Sequence, residues 1–328
     1  MPTLKPDLLR LVYAALAAFL IASSAQARAA TAVVAISLDT PTGQLAGSLV
    51  LPAAKGPVPV ALIIAGSGPT DRNGNSAMFP GANNSLMLLA QALGEAGFAS
   101  VRYDKRGLAG SAAAGSQEKD VRFDHFIDDA AAWIAKLKGD PRFSSVTVIG
   151  HSEGSLIGMV AARRAGASAF VSLAGAGRPA SAVLRAQLAT KLGGELAAQS
   201  ETILSELEQG RTTSAVPASL QVLYRLSVQP YLVSWFRYDP AQSIAALTVP
   251  VLIVQGTTDV QVAVSEAELL KKARPQAQLA VIPGMNHVLK MVAPNESPPF
   301  PSYFDPALPL APELTKVLVD FMRINIPR

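Results

Sequence analysis

Gly150-His151-Ser152-Glu153-Gly154 places a serine between two glycines in the pattern G-x-S-x-G. That spacing suits nucleophilic catalysis when a strand runs into the motif and a helix leaves it. The sharp turn then lifts the hydroxyl clear of the chain, and side chains two residues away on either side would collide with the crossing backbone. Ser145–Ile149 has strand composition and runs straight into Gly150, and Gly154–Arg164 is helical in pattern. Chance supplies such a pentapeptide in about one chain in ten of this length, so the flanking elements carry more weight than the motif.

A serine hydroxyl needs a base within hydrogen-bond reach. The chain has three histidines, His125, His151 and His287. Successive side chains diverge at a tight turn, so His151 is expected beside the sheet rather than facing Ser152. His125 precedes the apolar face of a helix and is expected on the surface or against an inserted cap. His287 follows the strand Ala277–Ile282 through a Pro283-Gly284 turn, at the C-terminal end of a late strand, where open α/β sheets place their sites. It is the candidate base.

The base needs a carboxylate to hold its tautomer. Asp259 follows the strand Val249–Gln255 through Gly256-Thr257-Thr258, and the order Ser152, Asp259, His287 is the one expected for a strand–turn–helix elbow on an open α/β sheet. Asp259 could also cap the helix that follows it. Glu266 and Asp239 are the fallback acids. For an oxyanion, the candidate donors are the backbone N–H groups of Ser67, in the loop Ala65-Gly66-Ser67-Gly68-Pro69, and of Glu153. Pro69 has no N–H to offer. No G-K-[ST] follows this glycine-rich loop and no G-x-G-x-x-G enters a helix, which argues against phosphate binding.

The elements that must position these residues read as one α/β domain. Ala32–Leu38 and Gly43–Leu51 form an expected hairpin. Strand patterns at Val58–Ala65, Phe98–Tyr103, Ser145–Ile149, Ala169–Ala174, Val249–Gln255 and Ala277–Ile282 alternate with helical ones. The helical patterns are Ser85–Ala96, Val121–Leu137, Gly154–Arg164, Ser265–Ala273 and Pro312–Met322. Such alternation implies a mostly parallel sheet with helices on both faces. Residues 178–247 break it with several helices and are read as an inserted helical cap. The Pro- and aromatic-rich segment 294–309 cannot be regular helix. With the cap, its Phe300, Tyr303 and Phe304 are expected to line a moderately apolar pocket.

Composition narrows the classes further. Of 328 residues, 50% are apolar and 16% charged, which fits a globular chain. The net charge of +4 is scattered, so nucleic acid is not an expected partner. With no cysteine, thiol catalysis and disulfides are excluded. Lys5, Arg10, the apolar run Leu8–Ala22 and the small residues Ala25 and Ala27 read as a signal peptide cleaved after Ala27. An uncleaved anchor is the alternative. The expected localisation is therefore periplasmic or secreted, with no stable membrane insertion after cleavage. The domain organisation is 1–27 signal peptide and 28–328 catalytic domain.

The chain resembles the α/β-hydrolase superfamily over residues 32–325. More narrowly, it resembles bacterial hydrolases of the serine aminopeptidase-like and dienelactone-hydrolase-like groups. The residues that carry the narrower likeness are Gly66–Arg72, Arg102–Gly107, Gly150–Gly154 and Pro250–Gly256. The resemblance implies a triad of Ser152, Asp259 and His287, activity on acyl esters, and no metal or organic cofactor. It also implies structural roles for Asp104 and Arg106. In one departure, Ala65-Gly66 stands where many relatives carry His-Gly. A small acyl ester is the expected substrate. A short peptide is the second reading, since an exopeptidase needs a carboxylate for the substrate's amino group and Glu153, Glu201, Glu206 and Glu208 are available. A third reading is a non-catalytic binding protein of the same fold.

Overall fold

A hairpin opens the described chain: β1 (Thr31–Thr40) and β2 (Gly43–Pro52) pair antiparallel along their whole length. The computed structural model describes residues 31–78, 81–293, 296–298 and 300–326. The expected signal peptide, 1–27, lies outside the described residues.

Six further strands follow: β3 (Val58–Ile64), β4 (Ala99–Tyr103), β5 (Phe143–His151), β6 (Ala169–Leu173), β7 (Val251–Gly256) and β8 (Gln278–Ile282). The sheet order is β1-β2-β4-β3-β5-β6-β7-β8, antiparallel up to the β2–β4 pair and parallel from β4 onward. Apolar residues fill both faces of the central strands, as a sheet covered on both sides requires. Val60, Leu62, Ile64, Val146 and Val148 point into one core with Trp133 and Ile157. Ala61, Ile63 and Ile149 point into the other with Leu89 and Phe321. The covering helices are α1 (Ser85–Glu95), α2 (Phe123–Lys138), α3 (Glu153–Ala165), α9 (Val264–Ala273) and α10 (Pro312–Asn325).

Between β6 and β7 the chain inserts α4 (Ala180–Ala189), α5 (Gly194–Glu208), α6 (Gln221–Tyr224), α7 (Gln229–Phe236) and α8 (Pro240–Ala245). These helices bury a small core of their own, including Ile203, Leu207, Tyr224 and Leu232. The buried Gln229 amide exchanges two 2.7 Å hydrogen bonds with the Thr213 backbone, which pins the irregular stretch between α5 and α6. The insertion is fixed to the sheet domain through α2. The Phe123 ring stacks on Trp235 at 5.6 Å, and the Phe123 N–H donates to Ser234 Oγ.

Boundaries differ from the sequence reading where backbone chemistry intervenes. Helix α2 starts at Phe123 rather than Val121 because Arg122 is extended, after a short 3₁₀ turn at Glu118–Asp120. Strand β7 starts after Pro250, which has no N–H to give the ladder. Among the described residues no helix is long and apolar enough to cross a membrane.

Candidate active site

Strand β5 delivers Ser152 into a turn with φ 55° and ψ −122°, a conformation that costs a non-glycine residue about 1–3 kcal/mol. Both glycines of the motif are required by contact. A Cβ on Gly150 would stand 2.2 Å from the Gly154 oxygen, and one on Gly154 2.4 Å from the Ile64 oxygen. The Ser152 N–H is used by the sheet, donating to Leu173 O at 2.9 Å. It is therefore not an oxyanion donor. Glu153 opens α3, and its N–H and that of Ser67 have no protein acceptor among the described residues.

Asp259 and His287 sit on the loops that leave the neighbouring strands β7 and β8. Thr258 N–H donates to Met285 O at 3.1 Å, and a Cβ on Gly256 would lie 2.0 Å from that oxygen, so only glycine lets the two loops touch. Asp259 Oδ2 accepts from His287 Nδ1 at 2.8 Å and from Gln255 Nε2 at 3.1 Å. Its Oδ1 accepts from the amides of Gln261 and Val262. One carboxylate thus shapes its own turn with one oxygen and orients the imidazole with the other. Burial alone would raise the Asp259 pKa, but the charge and hydrogen bond of His287, with those amides, outweigh it and leave the carboxyl below its ordinary value. With Nδ1 engaged by Asp259, Nε2 is the second ring nitrogen of His287.

The His287 loop is held from several sides. Asn286 is fully buried. Its oxygen accepts from the Val288 and Lys290 amides and its nitrogen donates to Ser302 Oγ at 2.7 Å. The sequence places His151 beside the sheet rather than facing Ser152. Its ring stacks obliquely 4.8 Å from that of His287, and its Nε2 is 2.8 Å from the His287 oxygen. Burial, then the neighbouring His287, push the His151 pKa down to about 4. His125 is half-buried at the start of α2, its Nδ1 accepting from the Arg122 amide.

The remaining candidates are accounted for by position. Glu266, a fallback acid, is buried in α9 and holds Arg178 and the amides of Gly177 and Arg178. Asp239 caps α8. Asp104 accepts from the Arg72 backbone and the Gly110 amide and pairs with the Arg72 guanidinium at 2.9 Å, bracing the loop that carries Ser67. Arg106 clamps Asp129 of α2. Glu201 and Glu208 bind Arg185, and Glu206 binds Arg211.

A cavity of about 220 Å³ opens over Ser152. Ser67, Ser152 and Glu153 lie on one side, and Ala180, Val183, Leu184 and Trp235 of the insertion on the other. Phe300, Tyr303 and Phe304 are not among its lining residues, against the sequence expectation. They pack with Val288 in a separate cluster, because the Pro-rich segment folds behind the His287 loop. There the Tyr303 hydroxyl accepts a hydrogen bond from Gln261 Nε2 at 3.3 Å. Among the described residues no group of three His, Asp or Glu stands together to hold a metal ion.

Residues 83–291 match the family described as serine aminopeptidase, S33. The chain belongs to that family. Among curated proteins, esterase EstD of Thermotoga maritima is 28% identical over 256 residues, which span 76% of this chain and 59% of that protein. Among solved structures, Est1E of Butyrivibrio proteoclasticus with ferulic acid bound is 21% identical, with a TM-score of 0.61 over 89% of this chain and 100% of its own. An α/β serine hydrolase without a lid from Xanthomonas campestris is 19% identical, with a TM-score of 0.51 over 90% and 96%. These likenesses show the α/β-hydrolase fold.

Proposed function

We propose that this S33-family chain is a carboxylic ester hydrolase with Ser152 as nucleophile, His287 as base and Asp259 orienting the base. The observation that carries the choice of ester is the cavity over Ser152. The one carboxylate among its described lining residues, Glu153, is already committed, accepting from Lys105 Nζ at 2.9 Å and from the Tyr231 hydroxyl. An aminopeptidase needs a free carboxylate for the substrate's ammonium group, and Glu201, Glu206 and Glu208 of α5 are engaged by arginines and do not line the cavity. The apolar lining from Leu156, Val183, Leu184 and Val262 suits an acyl chain.

In this reading Ser152 attacks the ester carbonyl while His287 Nε2 takes its proton. The Ser67 and Glu153 amides stabilise the oxyanion, and His287 returns the proton to the leaving alkoxide. Water then repeats the sequence on the acyl-enzyme. Helices α4–α8 act as the cap that closes the acyl site. The EstD likeness, an esterase by name, supports the reading.

The test is fluorophosphonate labelling of residues 28–328 beside Ser152→Ala, followed by assays on p-nitrophenyl esters and aminoacyl anilides. Labelling lost in the variant, with turnover of the esters, is the expected result. Turnover of anilides alone would favour the aminopeptidase, and no labelling of the folded protein would favour a binding protein.

We also propose that residues 1–27 export the chain. The charged start, the apolar run and the small residues before Ala27 support this. Mass spectrometry of the full-length product from a bacterial host should find a mature chain beginning at Arg28 outside the cytoplasm. An intact Met1 terminus in the cytoplasm would refute it.

A further inference from the structure

Lys105 is a lysine only 2% exposed, 5.2 Å above the Phe126 ring. Its ammonium donates to the Gly66 carbonyl oxygen at 2.6 Å and to Glu153 Oε2 at 2.9 Å. Burying an ammonium is expensive unless its partners are well placed, and both partners here belong to the residues around Ser152. The Gly66 carbonyl and the Ser67 N–H are two ends of one peptide unit. Because a trans peptide is planar, fixing the oxygen in one direction aims the N–H in the opposite one. That peptide also passes close over the nucleophile: a Cβ on Gly66 would be 3.2 Å from Ser152 Cβ. The second candidate donor, the Glu153 amide, belongs to the residue whose carboxylate is the counter-ion of the same lysine.

We propose that Lys105 is a positioning residue for the oxyanion site, holding the Gly66–Ser67 peptide and the start of α3 in register through one buried charge. This rests on the ester-hydrolase reading and adds to it what holds the two donor amides in place. The same network reaches the insertion, since the Tyr231 hydroxyl of α7 donates to Glu153 Oε1. An amide held a fraction of an ångström off line stabilises the developing charge poorly, and loss of one oxyanion donor typically costs about 10²–10³ in kcat.

The first requirement is that the wild-type protein hydrolyses a p-nitrophenyl ester. If it does not, the underlying reading fails and Lys105 is not at issue. Given that activity, Lys105→Met should lower kcat by about 10²-fold with KM little changed, and should weaken a trifluoromethyl ketone, which forms an oxyanion adduct, by a similar factor. Since the chain has no cysteine, Lys105→Cys gives a single thiol. Alkylating it in denaturant with 2-bromoethylamine and refolding restores an ammonium at nearly the native length. Recovery of kcat with the aminoethyl group but not with an S-ethyl group supports the proposal. A kcat within threefold of wild type in folded Lys105→Met, or a lower kcat with unchanged inhibitor affinity, would overturn it. So would failure of the Met, Cys and S-ethyl proteins to fold where the aminoethylated one does, which would make Lys105 a folding determinant only.

Discussion

His151 Nε2 lies 2.8 Å from the backbone oxygen of His287, so the residue before Ser152 supports the loop that carries His287. Donation to a carbonyl requires a proton on Nε2, and the buried ring can supply it while neutral.

That burial has a consequence for acid stability. With its pKa at about 4, against an ordinary 6.5, folded His151 stays neutral where the unfolded chain takes up a proton. Stability that is present above pH 6.5 is therefore lost as pH falls towards 4, by about 3 kcal/mol from this residue. His151→Gln, which does not titrate, should lose correspondingly less. Urea unfolding at pH 7 and pH 4 checks this. Equal losses in the two proteins would contradict it.

Asp259→Asn keeps the shape of the turn but cannot favour the correct tautomer of His287 or its charged form. The expected loss in kcat is about 10³–10⁴, with KM near wild type and slower fluorophosphonate labelling. Cooperative unfolding at the wild-type temperature would show that the change is chemical. A loss below tenfold would return the orienting role to another acid.

The glycines of the elbow give a sharp contrast. Gly150→Ala drives a Cβ to 2.2 Å from the Gly154 oxygen and 2.5 Å from Ser155 Cα, both backbone atoms that cannot move alone. A loss of more than about 3 kcal/mol is expected. Gly139→Ala is the control, because that residue has φ −82° and its Cβ would meet nothing closer than 3.6 Å. Its effect should stay within about 0.5 kcal/mol. Thermal unfolding of both variants decides, and comparable losses would mean that crowding at the elbow is not what fixes Gly150.

The parts of this architecture that could be read in the chain are those set by local pattern. The apolar runs of β3, β5 and β7 are buried on both faces, and such runs stand out without a partner. Asp259 and His287 could be matched because β7 and β8 are neighbours and both loops leave their C-terminal ends. Lys105 and Tyr231 could not. They lie 48 and 78 residues from Glu153, and no periodicity links positions that meet only after the sheet has closed. The partner of His151 was not legible either, because divergence of neighbouring side chains says nothing about which loop the second one meets. The aromatic segment with Phe300 and Tyr303 was assigned to the pocket by composition, and composition does not distinguish a lining from a buttress.

The cavity wall yields a prediction about substrate length. Val183 and Leu184 of α4 face the space over Ser152. Enlarging Val183 to Phe shortens the room for an acyl chain while leaving the Ser67 and Glu153 amides and the His287–Asp259 pair untouched. Each methylene that no longer fits an apolar pocket forfeits about 1–3 kcal/mol of transition-state binding. Val183→Phe should therefore keep kcat/KM on p-nitrophenyl acetate and lower it on the octanoate by about tenfold or more. A parallel fall on both esters would mean that the substitution disturbs the catalytic residues. No change on either would mean that the acyl chain takes another path out of the site.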